Sequence, residues 1–186
     1  QLASNRLACP SAAMAPPGEA PPPMNEHDQN KHVLTQLLNA RIAAKAAAGG
    51  DADKEAKHEK SFSTFLAGIR PKIVQAAEGD PHNPTAICNV ARLREHGDNA
   101  PEEAERLYVS ALAADPSHVY TLTSFARFRS VHGDANGAAE LYAQARASDP
   151  GDPDVLFEWA SLLVASFQDL EGAKSLINDM VAISPK

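Results

Sequence analysis

The segments AERLYVSALAADP (residues 104–116), AAELYAQARASDP (138–150) and AKSLINDMVAISP (173–185) share one layout: Ala, then Tyr or Ile four residues on, then Pro twelve residues after the Ala. A related phrase, Gly79-Asp80-Pro81, lies upstream of the first. The prolines at 81, 116, 150 and 185 are separated by 35, 34 and 35 residues. A period of that length, built from two helical segments, marks an array whose units cannot bury their apolar faces alone and must stack on neighbours. The array spans 81–186, with units over about 82–116, 117–150 and 151–185.

Each unit reads as helix, tight turn, helix. In the first, Asn83 caps a helix that opens at Pro84, the helical position where a missing N–H costs nothing, and Ile87, Val90 and Ala91 form its apolar face. After the turn at His96 to Asn99, Pro101, Glu102 and Glu103 open a second helix, with acids where the helix dipole favours them. The second unit repeats this with Leu122, Phe125 and Ala126, a turn at His132 to Asp134, then Ala138, Tyr142 and Ala145. The third places Leu156, Trp159 and Ala160 before Ala173, Ile177 and Met180. Antiparallel helices approach to roughly 8 to 10 Å only where small side chains cross. Ala91 with Ala104, Ala126 with Ala138 and Ala160 with Ala173 supply those crossings.

These residues resemble the tetratricopeptide repeat (TPR), a 34-residue helix-turn-helix unit with an A-x-x-x-F element and a terminal Pro. The family's leading aromatic is replaced by Ile87, Leu122 or Leu156, its Gly by Ala91, Ala126 or Ala160, and its first-helix Tyr by Arg94, Arg129 or Leu163. Units one and three carry one extra residue near their turns. The resemblance implies an all-α right-handed superhelix, an α-solenoid of three TPR-like units preceded by extra helices. The half-a-TPR (HAT) repeat of RNA-processing scaffolds is the runner-up, carried by Phe125-Ala126-Arg127-Phe128 and Phe157-Glu158-Trp159-Ala160. Arg94 and Arg129 stand where that repeat has an acid. The RNA-reading pentatricopeptide repeat fits an acidic array poorly.

Upstream of the array, residues 1–28 hold six prolines and almost no large apolar side chain, which predicts a disordered Pro/Ala-rich leader. Up to Pro17 it lacks acids and carries Arg6, so the tail of an organelle transit peptide is the alternative. Residues 29–80 read as N-terminal helices and a degenerate half-repeat cap. Leu34, Leu37, Leu38 and Ile42 mark one face of a helix ended by Gly49 and Gly50. Residues 51–60 read as a charged connector. Phe62, Phe65, Leu66 and Ile69 then form a compact apolar face, and Pro71 is expected to interrupt the helix before a short continuation to Gly79.

The whole net charge of −7 falls on residues 61–186, which carry 10 Lys/Arg against 17 Asp/Glu. A field of that sign repels phosphate backbones, so direct nucleic-acid binding by the repeats is disfavoured. Cys9 and Cys88 have no C-x-x-C spacing, which argues against a disulfide scaffold or zinc module and for a reducing, intracellular default. No apolar run is long enough to span a membrane. The start at Gln1 suggests a processed or partial chain. Beyond Pro185 another unit would ordinarily begin, leaving Leu176, Val181 and Ile183 without their usual cover.

The TPR resemblance implies that the first helix of each unit lines a concave groove for a peptide or partner helix. Matching slots gives Thr85, Cys88, Asn89 and Arg92 from unit one, Tyr120, Thr123, Ser124 and Arg127 from unit two, and Asp154, Phe157, Glu158 and Ser161 from unit three. Arg92 and Arg127 occupy one slot, which suggests a partner bearing an acidic residue there. Asp154 and Glu158 make capture of a chaperone C-terminal carboxylate unfavourable. No metal, cofactor or enzymatic role is expected, since His96 and His132 lie on separate turns and Cys88 has no base at nucleophile spacing. The function implied is a non-catalytic protein-interaction scaffold. Trp159, Phe125 and Tyr142 read as core between helices.

Overall fold

The structure is a computed structural model that describes residues 24–183 of the chain, and these are helical with no strand. The helices are α1 (Glu26–Ala48), α2 (Ala52–Gly79), α3 (Pro84–His96), α4 (Pro101–Ala114), α5 (Val119–Val131), α6 (Ala135–Ser148), α7 (Pro153–Leu162) and α8 (Leu170–Ile183). A π-helical turn, Leu163–Phe167, follows α7. The leader expected over 1–28 lies outside the described residues up to 23. Its last residues are already helical, because the Asn25 side chain accepts the Asp28 N–H and starts α1 at Glu26.

The Asp-Pro phrases are the joints between helix pairs, and all three are built alike. A residue before Pro is pushed out of the helical region. Asp80, Asp115 and Asp149 accordingly leave the helix, while their N–H groups still donate to the carbonyls of Ala76, Ala111 and Ala145. Each Asp carbonyl then accepts the N–H three residues on, from Asn83, His118 and Asp152. Those three residues are the N-caps of α3, α5 and α7. Asn83 and Asp152 each accept two backbone N–H groups of the following first turn.

The turns within each pair absorb the extra residue of units one and three. A closing bond runs from the Ala100 N–H to the Arg94 carbonyl, from Asp134 to Arg129 and from Asp169 to Leu163, at 3.0, 2.9 and 3.0 Å. The left-handed residue each turn needs is Asn99, Gly133 or Gln168. In the third unit the surplus residue is taken up by the π-helical turn. The crossing alanines therefore stay in register. Ala91, Ala104, Ala126 and Ala138 are fully buried, and Ala160 and Ala173 nearly so.

The N-terminal region departs from the sequence reading. Residues 52–60 are the first turns of α2, capped by Asp51, whose side chain accepts the Lys54 N–H. Pro71 does not interrupt α2. An interior Pro costs about 3 kcal/mol, but Phe62 and Leu66 before it and Ile73 and Ala76 after it are buried, so the helix is anchored on both sides while Pro71 faces solvent. Helix α1 packs on α2 and α3, and α2 packs on α3, as α3 packs on α4 and α5 and α4 on α5. The N-terminal residues thus form a complete fourth helix pair. Leu34, Leu38, Phe62, Leu66, Ile73 and Leu93 make its core. Ile42 and Phe65, expected on apolar faces, are 63% and 67% exposed.

The main core joins the first two full units and reaches the third through Val155 and Leu162. Tyr108 stacks on Phe125 at 5.3 Å between centroids, with Phe128 tilted beside both. Leu156, Ala160, Ala173 and Leu176 form the C-terminal core. Leu176 is buried rather than uncovered, because it faces α7. Val181 and Ile183 are exposed. Phe125 and Tyr142 are buried as expected, whereas Trp159 is half-buried at the seam between the main and C-terminal cores. No helix among the described residues is long and apolar enough to cross a membrane.

Candidate functional site

Helices α1, α3, α5 and α7 are the first helices of successive pairs, and α1 packs on α3, α3 on α5 and α5 on α7. The slots predicted to line a groove lie on this row and divide sharply. Cys88, Asn89, Arg92 and Ser124 are buried, and Thr85 and Tyr120 are half-buried. Thr123, Arg127 and Glu158 are partly accessible, while Asp154, Ser161 and Phe157, 58% exposed, face solvent.

The cover over the first unit is α1. Asn89 donates from Nδ2 to the His27 carbonyl at 3.1 Å, and Arg92 donates to Thr35 Oγ1 at 2.9 Å and to the Tyr120 hydroxyl at 2.6 Å. The Tyr120 hydroxyl donates in turn to Asn89 Oδ1, and the Lys31 ammonium sits 4.5 Å from the Tyr120 ring centroid. Arg92 is 1% exposed, its Nε has no partner, and no carboxylate among the described residues pairs with it. An isolated buried charge costs several kcal/mol. Here it is held by two hydroxyls and the face of Tyr120, 5.4 Å from the guanidinium carbon, and it lies in the field of the buried carboxyls Glu95 and Glu158. The matched arginines therefore differ in state. Arg127 stays accessible and pairs with Glu158 at 3.3 Å, so the charges expected to lie side by side neutralise one another.

Sequence reasoning missed the polar stripe of α1. His27, Lys31 and Thr35 recur every four residues on one helical face, a pattern that marks a side able to meet a polar neighbour. It also missed why Arg94 and Arg129 replace the family's Tyr. Each spans its turn to an acid, Arg94 to Asp98 at 2.6 Å and Arg129 to Asp134 at 2.8 Å, and each reaches a second one on α4, Glu103 or Glu105. Arg70 of α2 shares Asp98, tying the N-terminal pair to the first turn.

A cavity of about 820 Å³ lies where the long α1–α2 hairpin overhangs the ends of α3 and α5. It is lined by Leu38, Ile42, Val131 and Pro101 together with Arg41, Lys45, Glu95, His96 and Arg127. Arg41 is engaged by Glu59 at 2.7 Å. Glu95 accepts the Tyr108 hydroxyl at 2.8 Å, and burial raises its carboxyl above the ordinary range against that bond. Glu158 is likewise raised by burial, opposed by Arg127 and the Tyr142 hydroxyl. The Cys88 thiol is pushed up by burial, which makes it a poor nucleophile.

His96 is pushed down to about 3, by burial first and then by the charges of Arg127, Arg92 and Arg41. It is neutral in the folded chain, whereas the unfolded chain protonates it below about 6.5. The unfolded state binds the extra proton across that window, so this contribution to stability is lost as pH falls from about 6.5 toward 3. The raised carboxyls of Glu95 and Glu158 act oppositely: their contribution is present below about 4.5 and is lost as pH rises through their folded values. His96→Gln should flatten the stability loss in urea titrations between pH 6.5 and 5, where the slope due to one histidine approaches about 1.4 kcal/mol per pH unit. Parallel curves for parent and variant would show that His96 titrates freely.

No protein-family model matches the sequence, and no curated protein matches it. Solved structures do. TTC0263, a thermophilic TPR protein of Thermus thermophilus, superposes with a TM-score of 0.58 at 15% identity, covering 86% of this chain and 92% of that one. MamA superposes with a TM-score of 0.53 at 13% identity over 70% of this chain and 74% of that one. A MamA RS-1 double mutant gives 0.51 at 12% identity over 86% and 95%. At these identities the likeness concerns the fold, and together with the joints, turns and crossing alanines it identifies the chain as a TPR-like helical-repeat solenoid.

Proposed function

We propose that the chain is a non-catalytic protein-interaction scaffold whose partner, a peptide or helix, docks across α5 and α7 in the open part of the groove. The observation that carries this reading is Phe157, a large aromatic 58% exposed on the row of first helices, with Ser161 one turn further on and accessible groups at Thr123, Arg127 and Asp154 on the same row. Exposed aromatics rimmed by polar groups mark interaction sites. The partner places an apolar side chain on Phe157 and an acid against Arg127, exchanging with Glu158. Cys88, Asn89, Arg92 and Ser124 are buried and Thr85 and Tyr120 half-buried, so they support this surface rather than touching the partner directly.

The test starts from a partner recovered by affinity capture and measures its affinity for two variants. Phe157→Ala and Arg127→Glu should each weaken binding at least tenfold, about 1.4 kcal/mol, with helicity unchanged. Undiminished binding by both would refute the site. The HAT-type reading, a scaffold in an RNA-processing complex, is separated by salt-sensitive retention of RNA on the chain, which the acidic array disfavours.

A further inference from the structure

We infer that the cavity under the α1–α2 overhang binds a small amphipathic acid, with an apolar body against Ile42 and Val131 and a carboxylate against Arg41 and Arg127. The occupant is a free small molecule, and its site shares only Arg127 with the proposed partner surface on α5 and α7. The cavity follows from unequal helices. Helices α1 and α2 have 23 and 28 residues against 13 and 14 in α3 and α4, so the first hairpin runs past the turn of the next pair. It roofs about 820 Å³, within the roughly 300 to 1,000 Å³ of small-molecule sites. The roof is braced: Arg41 Nε and Nη2 donate to both Glu59 oxygens, and the guanidinium lies 4.3 Å from the Phe62 ring centroid.

The lining decides the chemistry of the occupant. Ile42 and Val131, 63% and 73% exposed, both line this one cavity with Leu38, so their exposure is shared rather than scattered. The cations beside them have donors to spare. Arg41 keeps Nη1 free of Glu59, Arg127 keeps Nε and Nη2 free of Glu158, and Lys45 makes no ion pair among the described residues. The acids of the lining are mostly engaged: Glu59 by Arg41 and Glu95 by the Tyr108 hydroxyl, which leaves Glu55 on the first turn of α2. At the floor, the charges of Arg127, Arg92 and Arg41 join burial in holding His96 neutral, a field that disfavours a cation. The carboxyl nearest that ring, Glu95 at 3.4 Å, is raised by burial, which weakens its opposition to the field. A carboxylate accepts from both guanidiniums, while an apolar body takes Leu38, Ile42 and Val131 out of water. An uncharged or cationic amphiphile makes only the second of these contacts.

Calorimetric titration of the full chain with decanoate, kept below its micelle concentration, tests the site. One molecule should bind, at least about tenfold more tightly than decanol or decylammonium. Val131→Asp, at a position the core does not use, should weaken decanoate at least about tenfold with helicity unchanged. Arg41→Gln should abolish the preference for decanoate over decanol, and if it also loosens the hairpin, Val131→Asp alone decides. Arg106→Gln, at an exposed cation on α4 outside the lining, should change nothing. Phe157→Ala should also leave the titration unchanged, so loss of partner docking and loss of acid binding are separable. The inference is overturned by absence of binding, by unsaturable uptake of several molecules, by equal affinity for decanol, or by decanoate binding indifferent to Val131→Asp.

Discussion

Tyr108→Ala should destabilise the chain by about 4 kcal/mol, read as the shift of the main transition in urea. The side chain is fully buried, stacks on Phe125, meets Phe128 and donates its hydroxyl to Glu95. Truncation opens a cavity between the first two full units and strips a buried carboxyl of its donor, so two penalties combine. Tyr108→Phe separates them: the ring stays, the bond to Glu95 goes, and a loss of about 1 to 3 kcal/mol is expected. A main transition unmoved by Tyr108→Ala would mean that the ring does not occupy the inter-helix slot.

Trp159→Ala should cost about 3 kcal/mol, at the low end of the range for aromatic truncation because the ring is only half-buried. Its position decides where the loss appears. Trp159 touches both the main core and the small C-terminal core, with the Arg146 guanidinium 5.9 Å from its centroid. In a stacked array, stability is approximately a sum of unit and interface terms. The variant should therefore release α7 and α8 ahead of the rest, seen as faster amide exchange confined to residues 153–183. Uniform acceleration along the chain would place Trp159 in the global core instead.

The array was legible in the sequence because its signals are local and repeated. Alanine at a crossing, Tyr or Ile one turn on and Asp-Pro or Ser-Pro at the end each constrain the backbone by sterics that need no distant partner, and three copies in step leave little freedom. The N-terminal pair was misread where distant contacts decide. Pro71 argues locally against a continuous helix, but burial of Phe62, Leu66, Ile73 and Ala76 on one face overrides it. Ile42 has helical spacing, yet burial requires a neighbour: α1 has 23 residues against 13 in α3, so its end overhangs.

The groove was legible by slot but not by state. Arg92 and Arg127 are indistinguishable in the sequence, and they differ only because α1 lies over one of them. Nothing in the repeat pattern announces that cover. Its traces are the apolar residues Leu34 and Leu38, which require a neighbour, and the polar stripe His27, Lys31 and Thr35, which ordinarily reads as a solvated face.

The two edges of the solenoid obey different rules for chain length. Every joint on the Asp-Pro edge has the same four positions, 80–83, 115–118 and 149–152, with the same pair of backbone bonds. The opposite edge takes an extra residue in units one and three, through Asn99 or the π-helical turn, and it is also where the α1–α2 hairpin runs long. Insertions made there should be spent as local protrusions, leaving helix phase intact. The same insertion at a joint would rotate every following unit about the array axis. The molecule thus has one edge that fixes its pitch and one free to be elaborated.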